Sequence, residues 1–280
     1  MPEPTTVPEP SAALTLRTGD LSVAVVPSAG GRIGQITVAG QPLLVDVPAT
    51  DGHPMAWGSF PMAPWAGRIR GGRFSFEGTE IRLGLNHEDA GGGPGRSHSI
   101  HGTVFTRSWQ VDSTTPTSVT MSCPLAGALD WPFGGTAHQR IEVGSDHVRC
   151  ELSIDADDDG VFPAEIGWHP WFRKPDRFEF EPTAMYRRDD VGIPTGELVE
   201  PTSGPWDDCF VANGPVRLHY ERSTAATVSV DSDCDHWVVF DEPADATCVE
   251  PQSGPPDALN LGPHVVGPET PLRRWMTISW

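Results

Sequence analysis

Short runs in which apolar and polar residues alternate recur along the whole chain. Residues 21–27 alternate and then run apolar, and residues 73–83 and 140–154 each hold two alternating runs around a turn, at Glu77-Gly78 and at residues 144–146. A period of two is typical of a half-buried strand, and two such runs around a short turn predict a hairpin. The same pattern predicts strands at residues 178–181, 216–220, 227–230, 236–240 and 274–280.

Long helices are not expected in this chain. No amphipathic helical pattern exceeds two turns, and glycine and proline, 30 and 29 of the 280 residues, interrupt regular elements. Short strands joined by Gly- and Pro-rich turns are typical of an all-β protein. With no internal repeat and no linker, the chain is predicted to form one large antiparallel β-sandwich over residues 13–280. A disordered, acidic and Pro-rich lead is expected at residues 1–12.

The charge balance and the cysteines disfavour several classes of protein. Nineteen basic against 38 acidic residues give a net charge of −19, which disfavours binding to a nucleic acid backbone. The only lysine, Lys174, stands between arginine and proline, so the chain has no Walker A loop. No stretch resembles a secretory signal or a membrane span, and the five cysteines show neither a CxxC spacing nor an even number. These features predict a cytoplasmic protein with free thiols and no membrane contact.

Two segments match metal sites only in part. Residues 155–160 match the first half of an EF-hand loop, but its twelfth position is Ile166 where a glutamate is required, so an acidic hairpin turn is the simpler interpretation. His98 and His101 are three residues apart, which points them to opposite faces of a strand. A strand that begins at a polar pocket fits these histidines better than a metal does. No metal site is therefore predicted.

Two further segments carry chemistry that the residue types alone leave open. His169 lies among Trp168, Trp171 and Phe172, and sugar sites use such aromatic faces, although a histidine in this setting is more often structural. Glu250 ends an apolar strand before a Pro-rich turn, which is typical either of a solvated carboxylate or of a rigidly held general base. A carboxylate and histidines without a GxSxG nucleophile motif favour simple proton transfer.

Five segments, taken in order, resemble the aldose 1-epimerase (galactose mutarotase-like) family. They are Ala63-Pro-Trp-Ala-Gly-Arg-Ile-Arg-Gly-Gly-Arg-Phe74, His98-Ser-Ile-His-Gly102, Gly167-Trp-His-Pro-Trp-Phe172, Trp206-Asp-Asp-Cys-Phe210 and Val249-Glu-Pro-Gln-Ser-Gly-Pro-Pro-Asp-Ala-Leu-Asn260. The resemblance implies the β-supersandwich of that family, a sugar substrate and no cofactor.

The resemblance also implies roles for matching residues. Glu250 is similar to the general base of the family and His169 to its general acid. His101 is similar to a second histidine that binds the substrate and polarises or helps to protonate the ring oxygen. Arg68 is similar to the arginine that holds sugar hydroxyls. Asp207 is similar to a carboxylate that fixes a distal hydroxyl, with its neighbour at position 208 as the alternative.

Trp171 and His98 complete the predicted substrate-binding residues. Two departures from the family pattern leave the hydroxyl contacts open: Gly67, where the family often has asparagine, and the Gly-rich loop at residues 91–95. Partial burial is expected to raise the pKa of Glu250, and the aromatic neighbours are expected to leave His169 titrating near neutrality.

The function that the resemblance implies is interconversion of the anomers of a free aldose by acid–base ring opening, as a monomer or homodimer. A mutarotase for hexose 6-phosphates is one alternative. It would need several arginines to bind the phosphate, and those available are Arg68, Arg70, Arg73 and Arg96. A non-catalytic sugar-binding or regulatory protein is another, since one fold serves many functions. The sequence does not name the sugar.

Overall fold

The computed structural model describes residues 13–87, 97–221 and 225–280. The predicted N-terminal lead, the Gly-rich loop at residues 91–95 and Arg96 lie outside the described residues. In chain order, the strands of the described ranges are β1 (Leu14–Thr18), β2 (Leu21–Val26), β3 (Arg32–Val38), β4 (Gln41–Pro42), β5 (Ser59–Met62), β6 (Arg68–Ile69), β7 (Arg73–Phe76), β8 (Thr79–Arg82), β9 (Ser99–Ile100), β10 (Gln110–Thr114), β11 (Ser118–Pro124), β12 (Thr136–Val143), β13 (His147–Asp155), β14 (Phe162–Ala164), β15 (Gly167–Arg173), β16 (Arg177–Glu179), β17 (Ala184–Arg188), β18 (Pro194–Val199), β19 (Asp207–Val211), β20 (Val216–His219), β21 (Thr227–Ser232), β22 (His236–Phe240), β23 (Ala246–Gln252), β24 (His264–Val266) and β25 (Leu272–Ser279). The helical elements in these ranges are α1 (Ala258–Leu261) and 3-10 turns at Pro27–Ala29, Val47–Thr50 and Arg70–Gly72.

The described strands form two large sheets. Eleven strands make the first, in the order β1-β2-β3-β5-β15-β23-β22-β19-β17-β18, with β4 paired to β3. Eight make the second, in the order β10-β11-β12-β13-β25-β21-β20-β16, and three pairs, β14-β24, β6-β9 and β7-β8, make small sheets. The neighbours within both large sheets run antiparallel. The predicted all-β, antiparallel sandwich is thus confirmed.

One hydrophobic core is shared by the two large sheets. It contains Val23 and Ile36 from the first sheet and Val148 and Ile278 from the second. In β12 and β13 every second residue is buried, so the alternation seen in the sequence places one face of each strand in this core. Burial of apolar surface contributes about 25 cal/mol per Å². Two inner faces packed in this way define a sandwich.

The predicted hairpins can be compared directly with the strand pairing. Glu77 and Gly78 join β7 to β8 with φ angles of 48° and 78°, as in the two-residue turns that suit strand twist. The β12–β13 hairpin also forms around residues 144–146. The prediction of a hairpin turn at residues 155–160 is wrong. There the chain leaves the second sheet, and β14 pairs with β24 instead of turning back on β13.

The strands β15 and β23 lie side by side in the middle of the first sheet, flanked by β5 and β22. All seven residues of β23 are buried, which is the pattern of a strand covered on both faces. Trp168 and Val249 point into the shared core. Because successive side chains alternate between faces, His169 and Glu250 point the other way, toward a cavity.

Candidate active site

A cavity of about 260 Å³ lies against this face of the first sheet. It is lined by residues of β6, β9, β15, β17, β18, β19, β22 and β23 and of connecting loops. Most of the residues predicted to form a site line it. They are Arg68, His101, His169, Trp171, Asp207 and Glu250. The sheet order explains this convergence, since strands distant in sequence are neighbours here.

His169 and Glu250 contact each other at the buried base of the cavity. Nε2 of His169 lies 3.2 Å from Oε1 of Glu250, and the two residues are 6% and 3% exposed. Nε2 of Gln252, two residues along the same face of β23, donates to the second carboxylate oxygen over 3.2 Å. The adjacent strands therefore hold the two side chains within proton-transfer distance.

Burial dominates the protonation of this pair. It raises the pKa of Glu250 well above its ordinary value, and the Asp207 carboxylate acts in the same direction, while the Gln252 bond and Arg68 oppose it. Burial also lowers the pKa of His169 to about 3, with a smaller contribution in the same direction from Arg32. The raised pKa of Glu250 agrees with the expectation from the sequence. The expectation that His169 titrates near neutrality is wrong, because burial of the ring disfavours its charged form.

His101 is held at the cavity wall by an unusual backbone. Its φ is 60°, that of Gly102 is 79°, and its N–H donates to the carbonyl of Gly67 over 3.0 Å. Its ring is perpendicular to that of His169 with the centroids 5.0 Å apart. Burial lowers the pKa of His101 well below its ordinary value, and His169, Arg68 and His87 add to this. His101 is therefore a neutral donor or acceptor at neutral pH.

An ion-pair network lines the part of the cavity formed by β17 and β19. Nη1 of Arg188 lies 3.1 Å from Oδ2 of Asp207, and Nε of Arg188 lies 2.8 Å from Oδ1 of Asp208. Burial raises the pKa of Asp207, opposed by Arg68 and Arg188. Both aspartates line the cavity. The alternatives left open by the sequence, Asp207 and Asp208, are thus both in place to meet a ligand.

Arg188 is a cavity residue that the sequence analysis missed. It stands in the charged run Arg187-Arg-Asp-Asp190, which is typical of a solvated turn. Only the pairing of β17 with β19 brings it against Asp207. His87 also lines the cavity, at the start of the polar segment that contains the Gly-rich loop.

His98 is the one predicted site residue that does not line the cavity. Its Nδ1 accepts the N–H of Gly71 over 3.0 Å, and its main chain pairs with His87. Trp171 does line the cavity, and its ring is nearly parallel to that of His169, with the centroids 5.3 Å apart. In this arrangement Trp171 packs on the histidine itself.

Gly67 is required by the packing at its position. It has a φ of 62°, and a Cβ there would lie 2.5 Å from Cβ of Pro256, far inside van der Waals contact. Both residues line the cavity. The proline ring therefore occupies the space next to Arg68 that a side chain at position 67 would need, so this wall is apolar.

Three donor atoms of the site are close enough for one metal ion. A ring nitrogen of His169, Sγ of Cys248 and a carboxylate oxygen of Glu250 lie within 4.8 Å of one another. A metal would require the thiolate, and burial raises the pKa of Cys248 well above its ordinary value, with Glu250 acting in the same direction. We interpret the group as a proton-sharing pair beside a buried thiol. The lack of a metal requirement stays a prediction.

Two structural features bear on compartment and membrane contact. The five cysteines are free and buried. Among the described residues, no helix has the length and apolar character needed to cross a bilayer. The cytoplasmic location stays a prediction.

Comparison with known proteins agrees with the fold. The model of the aldose 1-epimerase family matches residues 12–272. The uncharacterised protein YihR of Escherichia coli K12 is 25% identical over 275 residues, which cover 89% of this chain and 86% of YihR. Among solved structures, a candidate aldose 1-epimerase of Escherichia coli K12 matches with a TM-score of 0.81 and 21% identity, over 96% of this chain and 98% of its own. The galactose 1-epimerase of Lactobacillus acidophilus matches with a TM-score of 0.76 and 15% identity, over 95% and 92%. The chain belongs to the aldose 1-epimerase family.

Proposed function

We propose that the protein interconverts the α and β anomers of a free, neutral aldose, and that it needs no cofactor. The observation that carries this proposal is the contact between His169 and Glu250, 3.2 Å apart and buried on the cavity face of adjacent strands. Anomer exchange requires one proton to leave the anomeric hydroxyl and one to reach the ring oxygen. A carboxyl–imidazole pair that shares one proton supplies both transfers.

The protons balance over the whole cycle. In the free protein burial favours the neutral form of each partner, so the shared proton rests on Glu250. When it moves to His169, the carboxylate accepts the anomeric O–H proton while the imidazolium protonates the ring oxygen. The bond between C1 and the ring oxygen breaks and leaves an open-chain aldehyde. Rotation about C1–C2 and the reverse transfers close the ring on the other face and restore the pair.

The remaining cavity residues suit the hydroxyls of a neutral sugar. His101 is neutral and can hydrogen-bond to the ring oxygen or to a hydroxyl, as the family resemblance suggests. Arg68, Asp207 and Asp208 offer a donor and acceptors elsewhere along the cavity wall. Trp171 adds an aromatic edge to the wall.

The charges in the cavity favour a free sugar over a sugar phosphate. Arg188 is already paired with two aspartates, and Arg70 is paired with Asp189 at 2.6 Å. Arg73 does not line the cavity, and Arg96 lies outside the described residues. Of the arginines considered for a phosphate, Arg68 alone reaches the cavity within the described part of the chain.

A panel of free hexoses, pentoses and hexose 6-phosphates tests the proposal. Each pure anomer is dissolved and its approach to equilibrium is followed by polarimetry, with two-dimensional exchange NMR for sugars of low rotation. We expect the protein to accelerate at least one neutral aldose and to act on it better than on its 6-phosphate. Saturable sugar binding with no acceleration on any sugar would replace the enzyme with the non-catalytic binding protein.

A further inference from the structure

A buried cation lies behind His169. Arg32 of β3 is 1% exposed, and its guanidinium donates to three main-chain carbonyls: Nε to Ala29 over 2.6 Å, Nη1 to Trp57 over 3.0 Å and Nη2 to Phe105 over 3.0 Å. Within residues 13–87, 97–221 and 225–280, no carboxylate forms an ion pair with it. Burial lowers the pKa of Arg32 to about 9, so it remains charged at neutral pH. In this part of the chain its partners are therefore carbonyl dipoles and not a carboxylate.

Arg32, Phe60, His169 and Trp171 form a stacked column that ends in the cavity. The guanidinium carbon lies 5.1 Å from the centroid of the Phe60 ring, which lies 4.7 Å from the His169 ring at an interplanar angle of 25°. The His169 ring in turn lies 5.3 Å from Trp171 at 18°. Trp57 covers the guanidinium at 4.2 Å. An imidazole between two rings loses contact on both faces when it rotates, so the column fixes its plane.

We propose that Arg32 is a positioning residue for His169: it braces the imidazole plane through Phe60, and its charge disfavours a second positive charge on that ring. This inference rests on the proposed acid–base role of His169. Burial is the larger cause of the low pKa of His169, and the Arg32 charge acts in the same direction. A more acidic imidazolium protonates the weakly basic ring oxygen of a sugar more readily and returns the resting proton to Glu250.

Other groups near His169 can also influence the charge on its ring. Those that carry or can carry charge are Glu250 and Cys248 from β23, His101 from the loop after β9, Arg68 from β6 across the cavity, and Arg32 from β3 behind Phe60. Glu250, the nearest, favours the imidazolium only when it is ionised, and its raised pKa keeps it neutral in the free protein over the acid range. Removal of the Arg32 charge should therefore change the pKa of His169 over that range.

The test is Arg32→Met, which removes the charge and keeps an unbranched side chain in the space. The two stacked contacts place the charge within about 10 Å of the imidazole, and at an effective dielectric constant of about 20 this corresponds to about one pKa unit. We expect the midpoint of the His169 titration, followed by NMR of labelled histidine, to move up by about one pH unit. The acid limb of kcat/KM should move with it. The matched control is Arg107→Met, because Arg107 also donates to two carbonyls, of Pro124 and Ala126, but does not line the cavity.

Arg32→Lys provides a second variant, which keeps the charge and loses the planar stack. We expect its His169 midpoint to stay near that of the wild type while kcat falls, a split that a purely structural role would not produce. If Arg32→Met folds and leaves the midpoint where it was, or if Arg107→Met moves it equally, the proposal is overturned. If Arg32→Met does not fold, a midpoint in Arg32→Lys that rises by about one unit overturns it. The NMR titration needs no catalytic activity, so failure of the proposed function would be seen separately.

Discussion

At the scale of single residues, the proposed chemistry depends on one carboxyl group. Glu250→Gln keeps the size of the side chain and a hydrogen-bonding partner for His169 but cannot accept a proton. We expect mutarotation to fall by about 10²–10⁴-fold, with sugar affinity measured by calorimetry nearly unchanged. His169→Asn should cause a similar loss, and the double variant should be far from additive because the pair acts as a unit. Glu142→Gln, at an exposed position of β12, is the matched control. Near-complete activity in Glu250→Gln would mean that another group is the base.

The pH profile follows from the directions of the two pKa shifts. Activity needs one proton on the pair. A second proton binds only when the pH falls toward the His169 pKa of about 3, and the first is lost only when the pH rises through the raised pKa of Glu250. We therefore expect kcat/KM, corrected for the uncatalysed rate, to be flat between pH 5 and 6. An ordinary histidine, with a pKa of about 6.5, would give a falling acid limb in this range, and observing one would contradict the assignment.

The residues that could be predicted are those whose neighbours in sequence already indicate a site. His169 lies among aromatic residues and Glu250 ends an apolar strand, which made both candidates without deciding between a structural and a functional role. The family resemblance selected them and gave their roles. Arg188 and Arg32 could not be predicted in this way, because most of their partners are distant in sequence. For His98 the local pattern was misleading. Its ring bonds to Gly71, a contact that depends on the path of the chain and not on composition.

At the scale of elements, the alternation of apolar and polar residues was sufficient to place ten of the 25 described strands, including the four that form the two predicted hairpins. It could not give the order of strands in a sheet. The sequence of a strand buried on both faces, such as β23, shows no alternation and does not identify the neighbouring strands. The order matters most for function, because the pairing of β15 with β23 is what brings His169 to Glu250. The failed hairpin at residues 155–160 has the same origin, since β14 pairs with a strand some hundred residues away.

The turn after β9 offers a prediction at this scale. Gly102 has a φ of 79°, and a Cβ there would lie 1.9 Å from the carbonyl oxygen of Ala63. Gly78 has nearly the same φ, 78°, but open space around it. We expect Gly78→Ala to cost about 1–2 kcal/mol of unfolding free energy, the price of the left-handed backbone alone. Gly102→Ala should cost more than about 3 kcal/mol, because the backbone must also move, and should lower kcat by displacing His101. Urea unfolding and polarimetry on the two variants measure this, and equal costs would contradict it.

At the scale of the whole molecule, the sandwich gathers segments that span residues 63 to 260 around one cavity and removes them from water. The acid–base pair, His101 and Glu165 are buried in the described structure, and each has its pKa moved toward the neutral form by burial. Burial of these ionisable groups costs folding free energy. The unfolded chain ionises these groups freely, so the stability of the protein depends on pH through the same residues that perform the chemistry.

The sign of that dependence can be tested at Glu250. Its pKa is raised in the folded protein, so above about pH 4.3, the ordinary value for glutamate, the unfolded chain releases a proton that the folded protein retains. Folding stability then falls by about 1.4 kcal/mol per pH unit until the raised pKa is reached. Glu250→Gln removes this loss, whereas the contribution of Glu165 is common to both proteins. The melting temperature of Glu250→Gln minus that of the wild type should therefore increase from pH 5 to pH 8. Calorimetry at matched ionic strength measures this difference. Glu142→Gln should show no such trend. A difference that is constant over this range would mean that Glu250 is ionised in the folded protein as readily as in water, and the resting proton would then have to lie elsewhere.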